Sequence, residues 1–537
     1  PCGVFSLGLH HPGITPRGIG FASRATLGRM LSRCSAMGWH RLTKSATTIA
    51  AMQEQTALQR FAFLAEALNG SGGFRPAVTW ALESITTDDG KGGTLSATRR
   101  VPKMAGTCHL VPHRRESAEN YAARCALALY ENHLADACDR FVSFLGRRRP
   151  MRAKIEAPLV QLLVKNADMR GNTLDAFFAS FALQLKARGS MLLLLDMPGK
   201  PGEPRPASLD DQIKKRAVPY LREIAPENVA DFEIDSETGL FRFLSINCVD
   251  SVDGRDEKCI RTWDAQGWKV MLGERVIAQG QHPFGQCPVI PVTENGGVFP
   301  QIGAFAQIAD MSASIYNATS GLDEILRSQT FSIPTMQVKA DQAASFDPTK
   351  MAVVLGTHNL MIYPDERPGF ISPDADQAQI YRDVIEDRQE AIKRVSMQES
   401  TADSRTASPE SGVARRLRFE RLNASLSGFA RQMQSAELRM WEMFNRALAR
   451  ENSVQVEWPS DFNLIDTSAE LDILALFQST GFPDAVLQAK RLAIVQAEFD
   501  AADEKTKAAL MAALNEAAQQ AARPTPTPAD PAPAPAA

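Results

Sequence analysis

The sequence predicts an α+β protein, mainly helical, with long helices and one small antiparallel sheet, and three observations carry that reading. Between Glu410 and Arg450, the residues Leu422, Leu426, Phe429, Met433, Ala436, Met440 and Phe444 step by three or four, the mark of one continuous buried helical stripe. Between Val229 and Pro291 the pattern changes to short alternating segments separated by Asp-Gly, Gln-Gly and Gly-Glu turns, the pattern of antiparallel strands. Hydrophobic residues at 44% and charged residues at 23% match an ordinary folded chain, so both kinds of element have enough apolar surface to bury.

Taken in order, residues 1–45 are rich in Gly, Arg and Ser without steady periodicity and are expected to be a disordered extension; the chain opens on Pro1, and Met52 is a candidate start. From Ala46 to Leu68 the spacing of Met52, Leu58, Phe61, Leu64 and Leu68 predicts a helix, stopped by Asn69-Gly70-Ser71-Gly72-Gly73. A polar loop lies around Asp88-Asp89-Gly90. Glu116 to Leu145 reads as one longer helix with Tyr121, Cys125, Leu129 and Leu134 inward, ended by Gly146. Thr173 to Arg188 is a helix stopped by Gly189, followed by a strand from Ser190 to Asp196 and the Pro/Gly-rich loop Pro198 to Pro206.

The sheet segments are Phe241 to Ile246, Cys259 to Trp263, Trp268 to Leu272 and Val276 to Gln279. A helix over Gln301 to Ser328, a Pro-punctuated strand and turn region over Phe331 to Gly369, and a helix over Asp374 to Met397 follow. Gln398 to Pro409 is polar and without periodicity. The helix from Glu410 then runs about 60 Å at about 1.5 Å per residue, which suggests a subunit built to pack beside copies of itself. A short strand, Val454 to Trp458, a helical region, Glu470 to Gln520, and a Pro/Ala/Thr tail, Ala521 to Ala537, complete the chain; the tail has nothing with which to form a core.

With 537 residues, the chain exceeds the size of about 250 to 300 at which one core stops growing, so several domains are expected. A formal net charge of -3 argues against holding nucleic acid by neutralising many phosphates, and any contact with DNA should be loose or local. The eight cysteines show no CxxC pair and no secretory leader is expected, usage that fits reduced thiols in a cytosolic setting. The most apolar window, Met191 to Leu195 with the helix before it, is interrupted by Lys186 and Arg188, and no run approaches the roughly 20 residues of a membrane span.

Catalytic motifs are missing: there is no GxxxxGK[ST], no HExxH, and no GxSxG between a strand and a helix. The glycines of Asn69 to Gly73 follow a helix rather than a strand, which makes them a cap and not a phosphate loop. Cys108, His109, His113, Cys125, His133 and Cys138 are metal-ligand types, yet two of the cysteines sit in an apolar helix where buried thiols are common, so no metal is expected. Asp210-Asp211 and Glu386-Asp387 are adjacent in helices, point in different directions and read as solvated surface. Arg147-Arg148-Arg149 and Arg415-Arg416-Arg418 suit either a phosphate contact or surface and intersubunit charge.

The order of elements meets specific wording at several points. Leu110-Val111-Pro112, then Tyr121, Arg124, Tyr130 and Gly146, come first. Arg170-Gly171-Asn172-Thr173-Leu174-Asp175-Ala176-Phe177 follows, with the Gly189 stop and Leu194-Leu195-Asp196-Met197-Pro198, then Gln286-Cys287-Pro288-Val289-Ile290-Pro291. Last comes Ser411-Gly412-Val413-Ala414, opening a long helix that ends before Val456-Glu457-Trp458-Pro459. Over about Leu110 to Phe462 this series resembles the portal proteins of tailed bacteriophages. The chain departs from the family in its long unmatched N-terminus and in carrying Ile315-Tyr316-Asn317 where the first stem helix often has a His-Tyr pair.

The resemblance implies a ring, usually of twelve subunits, with a wing over 46–300 and 410–465, stem helices over 301–328 and 374–397, and a clip over 329–373. It further implies a tunnel loop over 398–409 and a crown over 466–520, with 521–537 a disordered tail. Glu399, Ser400, Thr401, Asp403, Ser404 and Arg405 of the tunnel loop would then face DNA, and Asp383, Glu386, Asp387, Glu390 and Lys393 would line the stem channel. The second stem segment carries Asp374, Asp376, Asp383, Glu386, Asp387 and Glu390 against Arg382, Arg388, Lys393 and Arg394, a surplus of negative charge that avoids gripping a moving duplex.

The implied protein is no enzyme and has no catalytic, cofactor or metal residues. Its partners are double-stranded DNA, a terminase large subunit, a major capsid or scaffolding protein and a head-to-tail connector, with no membrane. It would sit at the portal vertex of the virion, and in the host cytoplasm during assembly. The competing readings are a cytosolic enzyme acting on a phosphorylated or nucleic-acid substrate, and another virion structural protein such as an adaptor.

Overall fold

Apolar periodicity and a glycine stop shape the first helix. In the computed structural model, α1 (57–69) buries Phe61, Leu64 and Leu68 and ends at Gly70, whose φ of 57° is in the left-handed region where a side chain is strained. The structure describes residues 57–88, 94–114, 116–198, 208–252, 254–330, 333–335, 369–371, 375–397, 412–450, 454–462, 467–498, 506, 509–514 and 516. The N-terminal extension, most of Phe331 to Gly369, all of Gln398 to Pro409 and the Pro/Ala tail therefore lie outside the described residues. Apart from Ala57, the described residues fall in the unit Leu58–Ala537.

β1 (Ala77–Asp88) and β2 (Thr94–Ala105) pair antiparallel along their full length, where the sequence reading placed only a polar loop. Val78, Trp80 and Leu82 do alternate, but only Val78 packs on the core, while Trp80 is 51% and Leu82 71% exposed, so most of the strand's signal lies on an exposed face. The expected single helix from Glu116 to Leu145 is two: α2 (Ala118–Leu127) and α3 (His133–Leu145). Asn132 caps α3 by accepting from the Ala135 N–H, Tyr130 turns back to stack on Phe74 at 4.0 Å, and Leu129, expected inward, is exposed.

β3 (Met151–Ala153), α4 (Pro158–Lys165) and α5 (Leu174–Arg188) follow. Thr173 caps α5, its hydroxyl accepting from the Ala176 N–H at 3.3 Å. Thr173→Ala should lower the unfolding free energy by about 1 kcal/mol in urea titration and Thr173→Ser by much less; equal losses in both would show that the hydroxyl contributes nothing. α5 ends at Gly189 (φ 90°), where an added Cβ would lie 1.9 Å from the Gly303 nitrogen. Only glycine lets these two backbone segments meet.

β4 (Ser190–Asp196) is the centre of a three-stranded antiparallel sheet, between β5 (Tyr220–Ile224) and the strand Val289–Thr293, with the short helix α6 (Leu209–Lys214) on the connection. Its unbroken apolar run has a reason. Met191, Leu193 and Leu195 face the main core, whereas Leu192 and Leu194 face a second core with Val229, Leu244 and Trp263.

The second core lies under a five-stranded meander: β6 (Val229–Ile234), β7 (Phe241–Val252), β8 (Arg255–Trp263), β9 (Gly267–Leu272) and β10 (Arg275–Gln281). The predicted sheet segments lie within this meander, whereas β11 (Val289–Thr293) belongs to the three-stranded sheet, where it pairs with β4.

α7 (Ala306–Thr330) starts five residues after the predicted Gln301. Residues 301–303 are held out of the helix by the Gln301 carbonyl and N–H bonding Ser190 Oγ and by the Gly303 N–H donating to the Arg188 carbonyl. β12 (Ile333–Thr335) pairs with β13 (Gly369–Ile371), and α8 (Ala375–Val395) packs against α7.

α9 (Gly412–Ala447) has 36 residues, about 54 Å at about 1.5 Å each. All seven residues of its predicted stripe are buried, against this chain's own α3, β4, β11 and β14 (Gln455–Glu457), the last pairing with β3. The stripe is thus an internal seam and is not itself free for a neighbouring copy. The expected helical region Glu470 to Gln520 is broken between α10 (Thr467–Ser479) and α11 (Asp484–Glu498) at Gly481 (φ 74°) and Pro483. The described chain is mixed α+β and mainly helical, as the sequence predicts.

Candidate functional site

The α7–α8 pair presents the charged surface. On α8, Ala378 and Ile392 are buried and Tyr381 and Ile385 half-buried, and these residues share one face. A Cβ on Gly321 would stand 3.0 Å from the Tyr381 ring, so the glycine in α7 makes room for that tyrosine, while Arg388 Nη1 reaches the Ser314 carbonyl at 3.4 Å. At 100° per residue, Asp383, Glu386, Asp387 and Glu390 fall within about 100° of arc on the opposite face and over about 10 Å of rise. All four are exposed, and Gln379 Nε2 donates to Asp383 at 2.7 Å. Lys393, half-buried, and the exposed Arg394 close the stripe with positive charge in the last turn, where cations suit the helix dipole.

The Leu110-Val111-Pro112 turn is held against α7 by a closed set of hydrogen bonds. Tyr121 Oη donates to the Leu110 carbonyl at 2.7 Å, and Arg124 Nη2 to the Val111 carbonyl at 2.8 Å. Arg124, 3% exposed, also forks onto both Glu116 oxygens at 2.9 and 2.8 Å and donates to Ser320 Oγ of α7 at 3.2 Å. Asn317 completes the clasp, accepting from the Val111 N–H at 2.8 Å and donating to the His109 carbonyl at 3.1 Å. The Arg124 guanidinium holds the Glu116 carboxyl below the usual range. With these partners the clasp fixes the backbone of the turn against α7.

No family model matches the chain, and no curated protein does. Solved structures give partial likenesses. A chain of the virion of the native gene transfer agent particle has a TM-score of 0.35 and 11% identity, covering 66% of this chain and 87% of that one. A chain of the neck of the empty particle, computed with C6 symmetry, has 0.34 and 11%, covering 65% and 87%. One from the neck of the native particle, computed with C12 symmetry, has 0.36 and 10%, covering 68% and 89%.

Among the predicted site residues, Asp383, Glu386, Asp387, Glu390 and Lys393 lie together on α8. Glu399, Ser400, Thr401, Asp403, Ser404 and Arg405 are outside the described residues. Of the candidate metal residues Cys108 and Cys125 meet, at 3.2 Å, but His109 Nε2 pairs with Glu66 at 2.6 Å and His133 with Glu131 at 3.2 Å, and among the described residues no group of three or more His, Cys, Asp or Glu could hold an ion. Arg148 bonds the Asp461 carbonyl and Arg147 lies over the Phe144 ring, so two of that basic run serve packing. No helix of the described residues is long and apolar enough to cross a membrane.

Sequence reasoning missed Asn317 and Glu116 in the clasp. It also missed a cavity of ≈ 380 Å³ between Glu294, Asn295 and α9, whose buried carboxylate, Glu294, is already paired with Lys186.

Proposed function

We propose that this chain is a portal subunit, twelve copies of which form a ring at a capsid vertex, around a channel for packaging and ejecting double-stranded DNA. The observation that supports this most is the acidic stripe of α8, carried on a pair of long packed helices and turned away from its own chain. Around a lumen, such a wall repels phosphate evenly, and a duplex slides without the counterion-releasing contacts that would hold it. The clasp adds a second support, because the residues quoted for the portal resemblance, Leu110, Val111, Tyr121 and Arg124, are joined to α7, the first of those helices.

In this reading α7 and α8 are the stem, 398–409 is the tunnel loop, and the long α9 belongs to the wing. The chain carries no catalytic residues; a terminase ATPase would dock on the clip and drive the DNA, and capsid or scaffolding protein and a head-to-tail connector would bind elsewhere on the ring. Negative-stain images of the purified protein should show axial rings with a central hole, whereas compact monomers would sink the proposal.

A charge test separates the stripe from the ring. Changing Asp383, Asp387 and Glu390 together to Lys should leave rings intact but make them retain duplex DNA. Each added phosphate contact should steepen the fall of log K with log salt by about 0.9. Rings that bind no more DNA than the parent would remove the stripe from the lumen.

A further inference from the structure

We propose that Cys108 and Cys125 are a dithiol that closes to a disulfide when the folded protein meets an oxidised low-mass disulfide, fastening the foot of the β1–β2 hairpin to α2. This inference stands independently of the portal reading.

Cys108 lies three residues beyond the end of β2, and Cys125 is on α2, with its thiol donating to Cys108 Sγ at 3.2 Å. A disulfide needs the sulfurs about 1 Å closer, a distance that side-chain rotation can cover. The backbone is already placed for it. Tyr121, one helical turn before Cys125, and Arg124, immediately before it, hold the Leu110 and Val111 carbonyls, and the Leu110 N–H donates to Cys108 Sγ at 3.5 Å. Three side chains on one face of α2 therefore hold Cys108, Leu110 and Val111 of the turn.

The two thiols differ in access. Cys108 is half-buried and Cys125 only 4% exposed, its thiol pushed up to about 12 by burial and by the bond with Cys108. The order of steps follows. The Cys108 thiolate attacks the oxidant's disulfide and releases one small thiol. The Cys125 thiolate then attacks Cys108 Sγ in that mixed disulfide and releases the second. The two cysteines lose two electrons and two protons, and the oxidant is reduced to two thiols. The second step is slow near neutrality, because little of Cys125 is thiolate.

The bond restrains more than a turn. Both hairpin strands pack on α2, while Trp80 and Leu82 reach beyond that support, so a covalent tie at the hairpin's foot opposes its separation from α2.

The test uses the full native chain and oxidised glutathione, followed by alkylation, digestion and mass spectrometry. A Cys108–Cys125 peptide pair short of two hydrogens, reopened by reductant, is expected, together with slower amide exchange in Thr94–Ala105 and Ala118–Leu127. Cys125→Ala should stop at a glutathione adduct on Cys108. Should that variant misfold, the peptide map of the parent protein still decides. Three results overturn the proposal: a Cys108 adduct that never closes, both thiols alkylated after unfolding, or a bond only between Cys248 and Cys259, which face each other across β7 and β8.

Discussion

Lys186→Met is expected to cost about 3 to 5 kcal/mol of unfolding free energy, read from urea titration, because it leaves a buried carboxylate without its counter-charge. Lys186 is 1% exposed on α5, with its ammonium on Glu294 and 4.1 Å from the centres of both the Phe141 and Phe305 rings. The rings add attraction without adding a proton acceptor. Glu294 also accepts from the Ala304 N–H at 3.2 Å, so its second oxygen ties the approach to α7 to the same charge pair. In the double variant Lys186→Met with Glu294→Gln, the amide oxygen can keep that bond and both charges are gone, and most of the loss should be recovered. Equal destabilisation in the single and double variants would mean that lost packing, not the unpaired charge, sets the cost.

What could be read in advance was local. The α9 stripe needs one helix and its own period, and every residue from Leu422 to Phe444 named for it is buried. Thr173 and Gly189 bracket α5 because cap and stop act within a turn of the residues they serve. The acidic face of α8 is also a matter of spacing along one helix. The clasp was not legible, since Arg124 meets Ser320 and Val111 meets Asn317 from roughly 200 residues away, and no periodicity encodes such a meeting. Lys186 shows the same limit. It looked like an interruption of an apolar stretch, and only the fold brings Glu294 to it. The α2–α3 break was written locally, in Asn132, but helical spacing on either side of that cap concealed it.

Trp441→Ala should lower the unfolding free energy by about 3 to 5 kcal/mol, as expected for a large aromatic removed from a core that can relax only partly. Trp441 is 1% exposed and meets Phe444 edge-on at 5.3 Å. Its indole N–H donates to Glu437 at 3.2 Å, and Glu437, fully buried, also accepts from Trp458 at 2.8 Å and from Arg152 at 2.5 Å. Arg152 stands on β3 and Trp458 directly follows β14, so one carboxylate on α9 collects both strands of the pair that flanks the helix. Losing the indole therefore opens a cavity and removes one of the donors that compensate a buried charge. Trp441→Phe divides the two effects: it refills most of the volume and should cost about 1 to 3 kcal/mol, the usual loss for a hydrogen bond to a charged group. An alanine variant as stable as the parent would mean that α9 does not run through this core, and the seam along its buried stripe would be wrong.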